Sequence, residues 1–241
     1  MMSPMVKLTY ITKRYQTEMV NKIILNSISL EINEGETVLL LGKNGAGKST
    51  LAGILTGMIK SDSGEVYFMS ENIKSGIKYK NHIGYMGQTT TFFPFLKTKE
   101  ILYLFSRLKG ITKKEANTGI DKLMENFKTL KDNANTYFVD LSYGTKRLLS
   151  FCIATLNSPK LLILDEPTES LDTYNRRKLW EIISVLKRDK NITILVISHH
   201  PENELIEPTR IIMINEGNII YDKNYSPIEN ETIQKIYKSY A

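Results

Sequence analysis

Gly42-Lys43-Asn44-Gly45-Ala46-Gly47-Lys48-Ser49-Thr50 contains a glycine, four residues, then Gly-Lys-Ser, and the reading of this stretch decides the fold. Before it stands Thr37-Val38-Leu39-Leu40-Leu41, which has the length and composition of a buried parallel strand, and residues 48–58 after it carry helical spacing. A strand that feeds a helix through a glycine-rich loop makes a cradle for a polyphosphate. The glycines let successive N–H groups point inward, Lys48 reaches the outer phosphates of a nucleoside triphosphate, and the Ser49 hydroxyl is a ligand for Mg²⁺. The bland alternative, a glycine-rich turn without a ligand, does not account for the strand on one side and the helix on the other.

Such a site needs carboxylates, and Leu161-Leu162-Ile163-Leu164-Asp165-Glu166-Pro167 supplies two at the end of a second aliphatic strand. Adjacent residues at a strand end point in different directions. Asp165 is expected to hold Mg²⁺ through water, leaving Glu166 to polarise the water that attacks the γ-phosphate. An acidic pair taken alone is more often a helix cap or a turn. Its place behind an aliphatic strand, in a chain with a phosphate loop, favours the catalytic reading.

Four further features fall in a telling order. Gln88 follows the strand-like His82-Ile83-Gly84-Tyr85-Met86; Leu141-Ser142-Tyr143-Gly144-Thr145 opens the helix before the acidic strand; Ser170-Leu171-Asp172 follows that strand; and the apolar run 192–198 ends in His199. This order resembles the ATP-binding cassette ATPases over nearly the whole chain, from about Lys7 to Tyr221. The resemblance implies an α/β P-loop NTPase fold with a mostly parallel sheet, an N-terminal antiparallel β subdomain and a helical lobe.

The resemblance also implies roles. ATP would be bound by Tyr15, whose ring stacks on adenine, and by Gly42, Asn44, Gly45, Ala46, Gly47, Lys48, Ser49 and Thr50. Ser49, Gln88 and Asp165 would serve Mg²⁺, and Glu166, His199, Gln88 and Lys48 the hydrolysis. Ser142, Gly144 and Asp172 would meet the nucleotide of a second cassette, so that no single chain holds a complete site. Blander readings stay open beside these: Tyr15 as a packing aromatic, Gln88 as a solvated loop residue, and His200 as a surface residue next to His199. The family pattern at 141–145 is Leu-Ser-Gly-Gly-Gln, and this chain departs from it with Tyr143 and Thr145; Ser170 stands where many relatives carry glycine. An ordinary dihedral is expected at Tyr143, since a positive φ there would be strained.

Length and composition fit one domain. With 241 residues, 41% of them hydrophobic, the chain buries a core without staples. A core lobe is expected at about residues 1–88 and 158–241, and a helical lobe at about 89–157 with helices at 98–108, 112–127 and 143–157. Antiparallel strands are expected over residues 6–41, with a turn at 16–21. After residue 160, strands alternate with an amphipathic helix at 174–188, and two strands follow at 210–215 and 217–221. The residues beyond 221 are too few for a regulatory domain. The single cysteine, Cys152, lies in an apolar helical stretch and points to packing and a reducing, cytoplasmic compartment. No apolar run is long enough to span a bilayer, so any membrane role comes through a partner.

The net charge of +6 sits unevenly: residues 70–132 hold 12 Lys or Arg against 6 Asp or Glu, which alone matches the excess. A solvated surface, proximity to anionic lipid headgroups and a nucleic-acid surface are three readings of that lobe. The basic residues lack the aromatic interleaving of a nucleic-acid groove, which makes nucleic acid the weakest of the three. The leading function is therefore the ATP-hydrolysing subunit of a transporter, a homodimer or heterodimer of cassettes on a transmembrane permease, peripheral to the inner face of the cell membrane. Residues 141–148 and 197–200 resemble the compact cassettes of bacterial drug, antibiotic and bacteriocin-peptide exporters. The alternative is a soluble mechanochemical ATPase acting on nucleic acid or ribosomes, whose usual coiled-coil insertions or second cassette are missing from this sequence. A regulator without turnover would lack the catalytic acid. Finally, Gln88 leads into Thr89-Thr90-Thr91-Phe92-Phe93-Pro94-Phe95-Leu96, an apolar patch on an expected loop. It reads either as a groove for a cytoplasmic helix of the permease or as packing onto its own lobe.

Overall fold

Two sheets and a layer of helices organise the protein, as seen in a computed structural model that describes residues 4–16, 21–76, 78–199 and 207–226. In chain order the strands are β1 (Val6–Gln16), β2 (Asn21–Ile32), β3 (Thr37–Leu41), β4 (Ser63–Phe68), β5 (Glu71–Asn72), β6 (Ile83–Met86), β7 (Leu161–Asp165), β8 (Thr193–Ser198), β9 (Arg210–Asn215) and β10 (Asn218–Asn224). The helices are α1 (Lys48–Leu55), α2 (Thr98–Leu108), α3 (Lys113–Asn126), α4 (Lys128–Asp132), α5 (Tyr143–Thr155) and α6 (Thr173–Lys190). The first sheet has the order β2-β1-β4-β5 and is antiparallel. The second has the order β10-β9-β3-β8-β7-β6, parallel except for β10 at its edge.

Every residue of β3, β7 and β8 is buried, which is why these strands read as unbroken apolar runs instead of alternating ones. Alternation still operates beneath the uniform composition, because successive side chains leave opposite faces of a strand. Leu39, Leu41, Leu162, Leu164, Ile194 and Val196 enter one core with helices α2 to α6. Val38, Leu40, Leu161, Ile163, Leu195 and Ile197 enter a second core with α1 and the antiparallel sheet. The α/β architecture expected from the sequence, a mostly parallel sheet with an antiparallel N-terminal sheet and a group of helices, is the one observed.

Capping fixes the helix starts. Thr112, expected inside a helix, is the N-cap of α3: its Oγ1 accepts from Glu115 N at 3.4 Å, and the Glu115 carboxylate accepts from Thr112 N at 3.2 Å. The loop after β6 divides its phenylalanines. Phe92 packs edge-on against Phe105 and Phe138 at 5.2 and 5.5 Å, whereas Phe93 and Phe95 are exposed. Of the two readings of this patch, Phe92 fits packing, its half-buried ring lying against the helical core. Cys152 is fully buried, and desolvation pushes its thiol up to about 12, as suits a packing residue. Residues 17–20 of the expected turn, and His200, lie outside the described residues. Among the described residues no helix is long and apolar enough to cross a membrane.

Candidate nucleotide site

The loop between β3 and α1 wraps around the start of α1. Gly47 is the N-cap of α1 with φ 107°, a left-handed conformation, and a Cβ there would stand 2.7 Å from the Ile24 carbonyl oxygen. Only glycine lets this loop close against β2. Lys48 follows, buried, with its ammonium donating to the Gly42 carbonyl at 2.6 Å and the Lys43 carbonyl at 3.0 Å. Desolvation holds its pKa below the usual lysine value, and the nearby Glu166 and Asp165 pull in the other direction. The chain thus keeps a charged donor folded back onto its own loop, beside the α1 N-terminus, where a helix dipole and free N–H groups favour an anion.

Parallel pairing brings the carboxylates to this loop. β7 lies next to β8 and β8 next to β3, so the C-terminal ends of all three strands open on one edge. Asp165 ends β7, almost completely buried, and its pKa is raised by desolvation, against a hydrogen bond from the Ser49 hydroxyl and with the Glu166 charge adding to the rise. Its Oδ2 is buried with no hydrogen-bond partner. An orphaned anionic oxygen next to a serine hydroxyl is the donor set that a hard divalent cation takes. Glu166 has φ 50°, a conformation that non-glycine residues seldom adopt. Its carboxylate is 2.6 Å from His199 Nδ1 and also accepts from the Ser198 hydroxyl at 3.5 Å.

These elements enclose a cavity of about 410 Å³ lined by Tyr15, Ile24, Asn44, Gly45, Gly47, Lys48, Ser49, Thr50, Gln88, Asp165 and Glu166. That volume is within the range of small-molecule sites. Most of the residues singled out in the sequence therefore converge. Tyr15 is partly exposed at the cavity, with Lys13 Nζ 5.4 Å from its ring centroid. Gly42 and Ala46 stand behind the lining: Gly42 gives its carbonyl to Lys48, and Ala46 is packed in the core.

Ser142, Gly144 and Asp172 are not in this cavity. Ser142 is the exposed N-cap of α5, accepting from Thr145 N at 3.2 Å, with the two hydroxyls 2.7 Å apart. Tyr143 begins the helix with an ordinary dihedral, as expected. Asp172 is the exposed N-cap of α6, accepting from Asn175 N at 2.8 Å and from its amide at 2.7 Å, bonds that lower its pKa. A Cβ on Gly144 would sit 2.8 Å from the Ser170 carbonyl oxygen, so the start of α5 touches the Ser170-Leu171 segment that leads into α6. Residues that sequence reasoning passed over are Ile24, which contributes to the cavity wall, Ser198 beside Glu166, and Arg147 behind the carboxylates. Nothing in the sequence signals Arg147, which follows Lys146 and has the composition of a surface charge.

A parallel sheet with a phosphate loop at one strand end and two carboxylates at another defines the class: a P-loop ATPase of the cassette type. Residues 25–169 match the family described as ABC transporter, and the chain belongs to that family. It is 34% identical over 210 residues to ATP-binding cassette sub-family A member 2 of Rattus norvegicus and of Homo sapiens, an alignment covering 87% of this chain and 8% of each relative. It is 35% identical over 211 residues to ABC transporter A family member 11 of Dictyostelium discoideum, covering 86% of this chain and 25% of that protein. The chain thus spans a small part of the curated relatives it matches, from 8% to 26% of their length. A solved structure described as the dimeric, post-hydrolysis state of an ATP-binding cassette bound to ADP and Pi superposes with a TM-score of 0.84 at 25% identity, covering 91% of this chain and 98% of that one. The protein is an ATPase cassette that binds ATP.

Proposed function

We propose that the chain is the nucleotide-binding subunit of a transporter working in the export direction, in which two cassettes close over two ATP molecules and drive a separate membrane permease. It is read as one cassette domain, with a core lobe at about residues 1–88 and 158–241 and a helical lobe at about 89–157. The observation that carries this is the separation of two residue sets. Lys48, Ser49, Gln88, Asp165 and Glu166 share one cavity, whereas the caps Ser142 and Asp172 lie outside its lining and are exposed, able to meet a nucleotide held by a second chain. Support also comes from the dimeric solved cassette and from relatives named as transporters, among them a phospholipid-transporting ATPase of Mus musculus.

Within one chain, the ammonium of Lys48 leaves the Gly42 and Lys43 carbonyls for the outer phosphates, and the Tyr15 ring stacks against the base. Ser49, Asp165 and Gln88 would hold Mg²⁺, which supplies charge neutralisation on the phosphate oxygens. Glu166 accepts the proton of the attacking water, and His199, already in contact with that carboxylate, holds it in place and reaches toward the γ-phosphate. Docking on the permease falls to the exposed Phe93 and Phe95 with Tyr137 and Val139. The two segments are joined where Phe138 N donates to the Leu96 carbonyl at 2.9 Å and Val139 N to the Pro94 carbonyl at 3.1 Å. On this reading the subunit works at the inner face of the cell membrane.

The test uses Glu166→Gln, which keeps the shape of the side chain but cannot take a proton. Turnover falls by roughly 10²- to 10⁴-fold while Mg²⁺-ATP converts the protein from monomer to dimer in light scattering. Ser142→Arg added to it abolishes the dimer and spares ATP binding. Loss of ATP binding in the Ser142 variant would place that residue in its own chain's pocket and refute the two-cassette site.

A further inference from the structure

Arg147 has the largest side chain among the fully buried ones of the described residues. Its guanidinium reaches out of α5 between two segments far apart in sequence. Nη1 donates to the Gly87 carbonyl at 2.5 Å and the Gln88 carbonyl at 2.9 Å. Nη2 donates to the Asp165 carbonyl at 2.8 Å and to the Glu166 carbonyl. Burial works against the charge of this group, and it is offset by four converging main-chain carbonyls together with the nearby Glu169, Asp165 and Glu166 charges. A second, independent bond runs the same way: the Tyr143 hydroxyl, at the first turn of α5, donates to the Gln88 carbonyl at 3.1 Å.

The two segments it joins carry chemistry. Gln88 lines the nucleotide cavity, and Asp165 and Glu166 bear its carboxylates. Glu166 holds a left-handed backbone conformation, which persists only where the surroundings over-determine it. Its N–H donates to the Ile197 carbonyl at 2.9 Å, and its carbonyl accepts from Arg147, so the peptide groups on both sides are fixed. Only a planar fork with several donors can span the two pairs of carbonyls at once; an ammonium is a point donor. Tyr143, which stands in place of the family's glycine, adds a contact that a glycine could not make.

We propose that Arg147, with the Tyr143 hydroxyl, is a positioning strut that fixes Gln88 and Glu166 relative to the start of α5. Neither residue touches the nucleotide cavity; each acts through the main chain of a residue that does. On the two-cassette reading above, on which this consequence rests, a nucleotide engaged by Ser142 and Gly144 reports through the strut to the hydrolytic groups of the chain that carries them.

The experiment is steady-state Mg²⁺-ATP hydrolysis by the purified full chain and its Tyr143→Phe, Arg147→Lys and Arg147→Met variants, with ATP affinity measured separately. Tyr143→Phe removes one hydroxyl from a side chain that is 44% exposed, so its fold is safe even if Arg147→Met does not fold. A strut predicts kcat lowered about fivefold in Tyr143→Phe, and about 30-fold in Arg147→Met with partial recovery in Arg147→Lys, while KM and ATP affinity stay within about twofold. A wild-type kcat in either Tyr143→Phe or Arg147→Lys, or a loss that falls on KM instead, overturns it. Light scattering of Glu166→Gln in Mg²⁺-ATP keeps the two ideas apart. A persistent monomer sinks the two-cassette reading and leaves the kcat result to judge the strut, whereas a dimer together with unaltered kcat sinks the strut alone.

Discussion

Replacing Lys48 by methionine removes an ammonium while keeping most of the stem, and the structure allows its effects on the empty and the nucleotide-bound protein to be separated. In the empty protein the ammonium makes two hydrogen bonds, to the Gly42 and Lys43 carbonyls, and bears a desolvation cost that lowers its pKa. Losing the bonds and losing the cost oppose one another, so Lys48→Met changes the stability of the empty fold by no more than about 1–2 kcal/mol. With ATP present nothing offsets the loss. A charge-assisted contact to phosphate is worth about 2 kcal/mol, or roughly 30-fold in affinity. At an ATP concentration about 100 times the wild-type dissociation constant, ligand binding stabilises the wild-type fold by about 2.7 kcal/mol and the variant by about 0.9 kcal/mol. For a chain of this size that is a melting shift of about 5–11 °C against about 2–4 °C. Differential scanning fluorimetry over an ATP titration reads both numbers from one experiment. An ATP shift in Lys48→Met equal to that of the wild type would falsify the assignment of this lysine to the phosphates.

Asp165 has a raised folded-state pKa, so the folded protein binds its proton more tightly than the unfolded chain does; the stability this confers is complete below the unfolded value of 3.8 and is lost as pH rises through the folded value. Asp165→Asn should therefore melt higher than the wild type at pH 7 without nucleotide or Mg²⁺, an advantage that shrinks toward pH 4; a constant difference across that window would count against a carboxylate strained by burial. Phe93→Ser and Phe95→Ser, at side chains 54% and 80% exposed, should leave melting within about 0.5 kcal/mol and basal ATPase activity unchanged while co-purification with the permease falls. Phe92→Ser should instead destabilise the fold by about 3 kcal/mol, and retention of the permease by both exposed-site variants would remove docking from this patch.

Much of this protein is legible without its structure because its informative signals are local. A strand, a glycine-rich loop and a helix within residues 37–55 specify a phosphate cradle through backbone sterics and side-chain period alone, and β3, β7 and β8 reveal themselves because strands covered on both faces must be apolar throughout. Helices α2 and α5 and the final strands fall where periodicity and turn residues put them. Contacts made between distant segments are a different matter. That Glu166 meets His199 depends on β7 and β8 lying side by side in register, a pairing no local pattern encodes. Phe92 and Phe93 are adjacent and chemically identical, and on a loop without period nothing in the sequence says which ring turns inward; the aromatic neighbours Phe105 and Phe138 decide it. Arg147 by composition is a surface charge. Only the folded chain turns four carbonyl oxygens toward one point behind the catalytic edge and so gives its buried guanidinium partners.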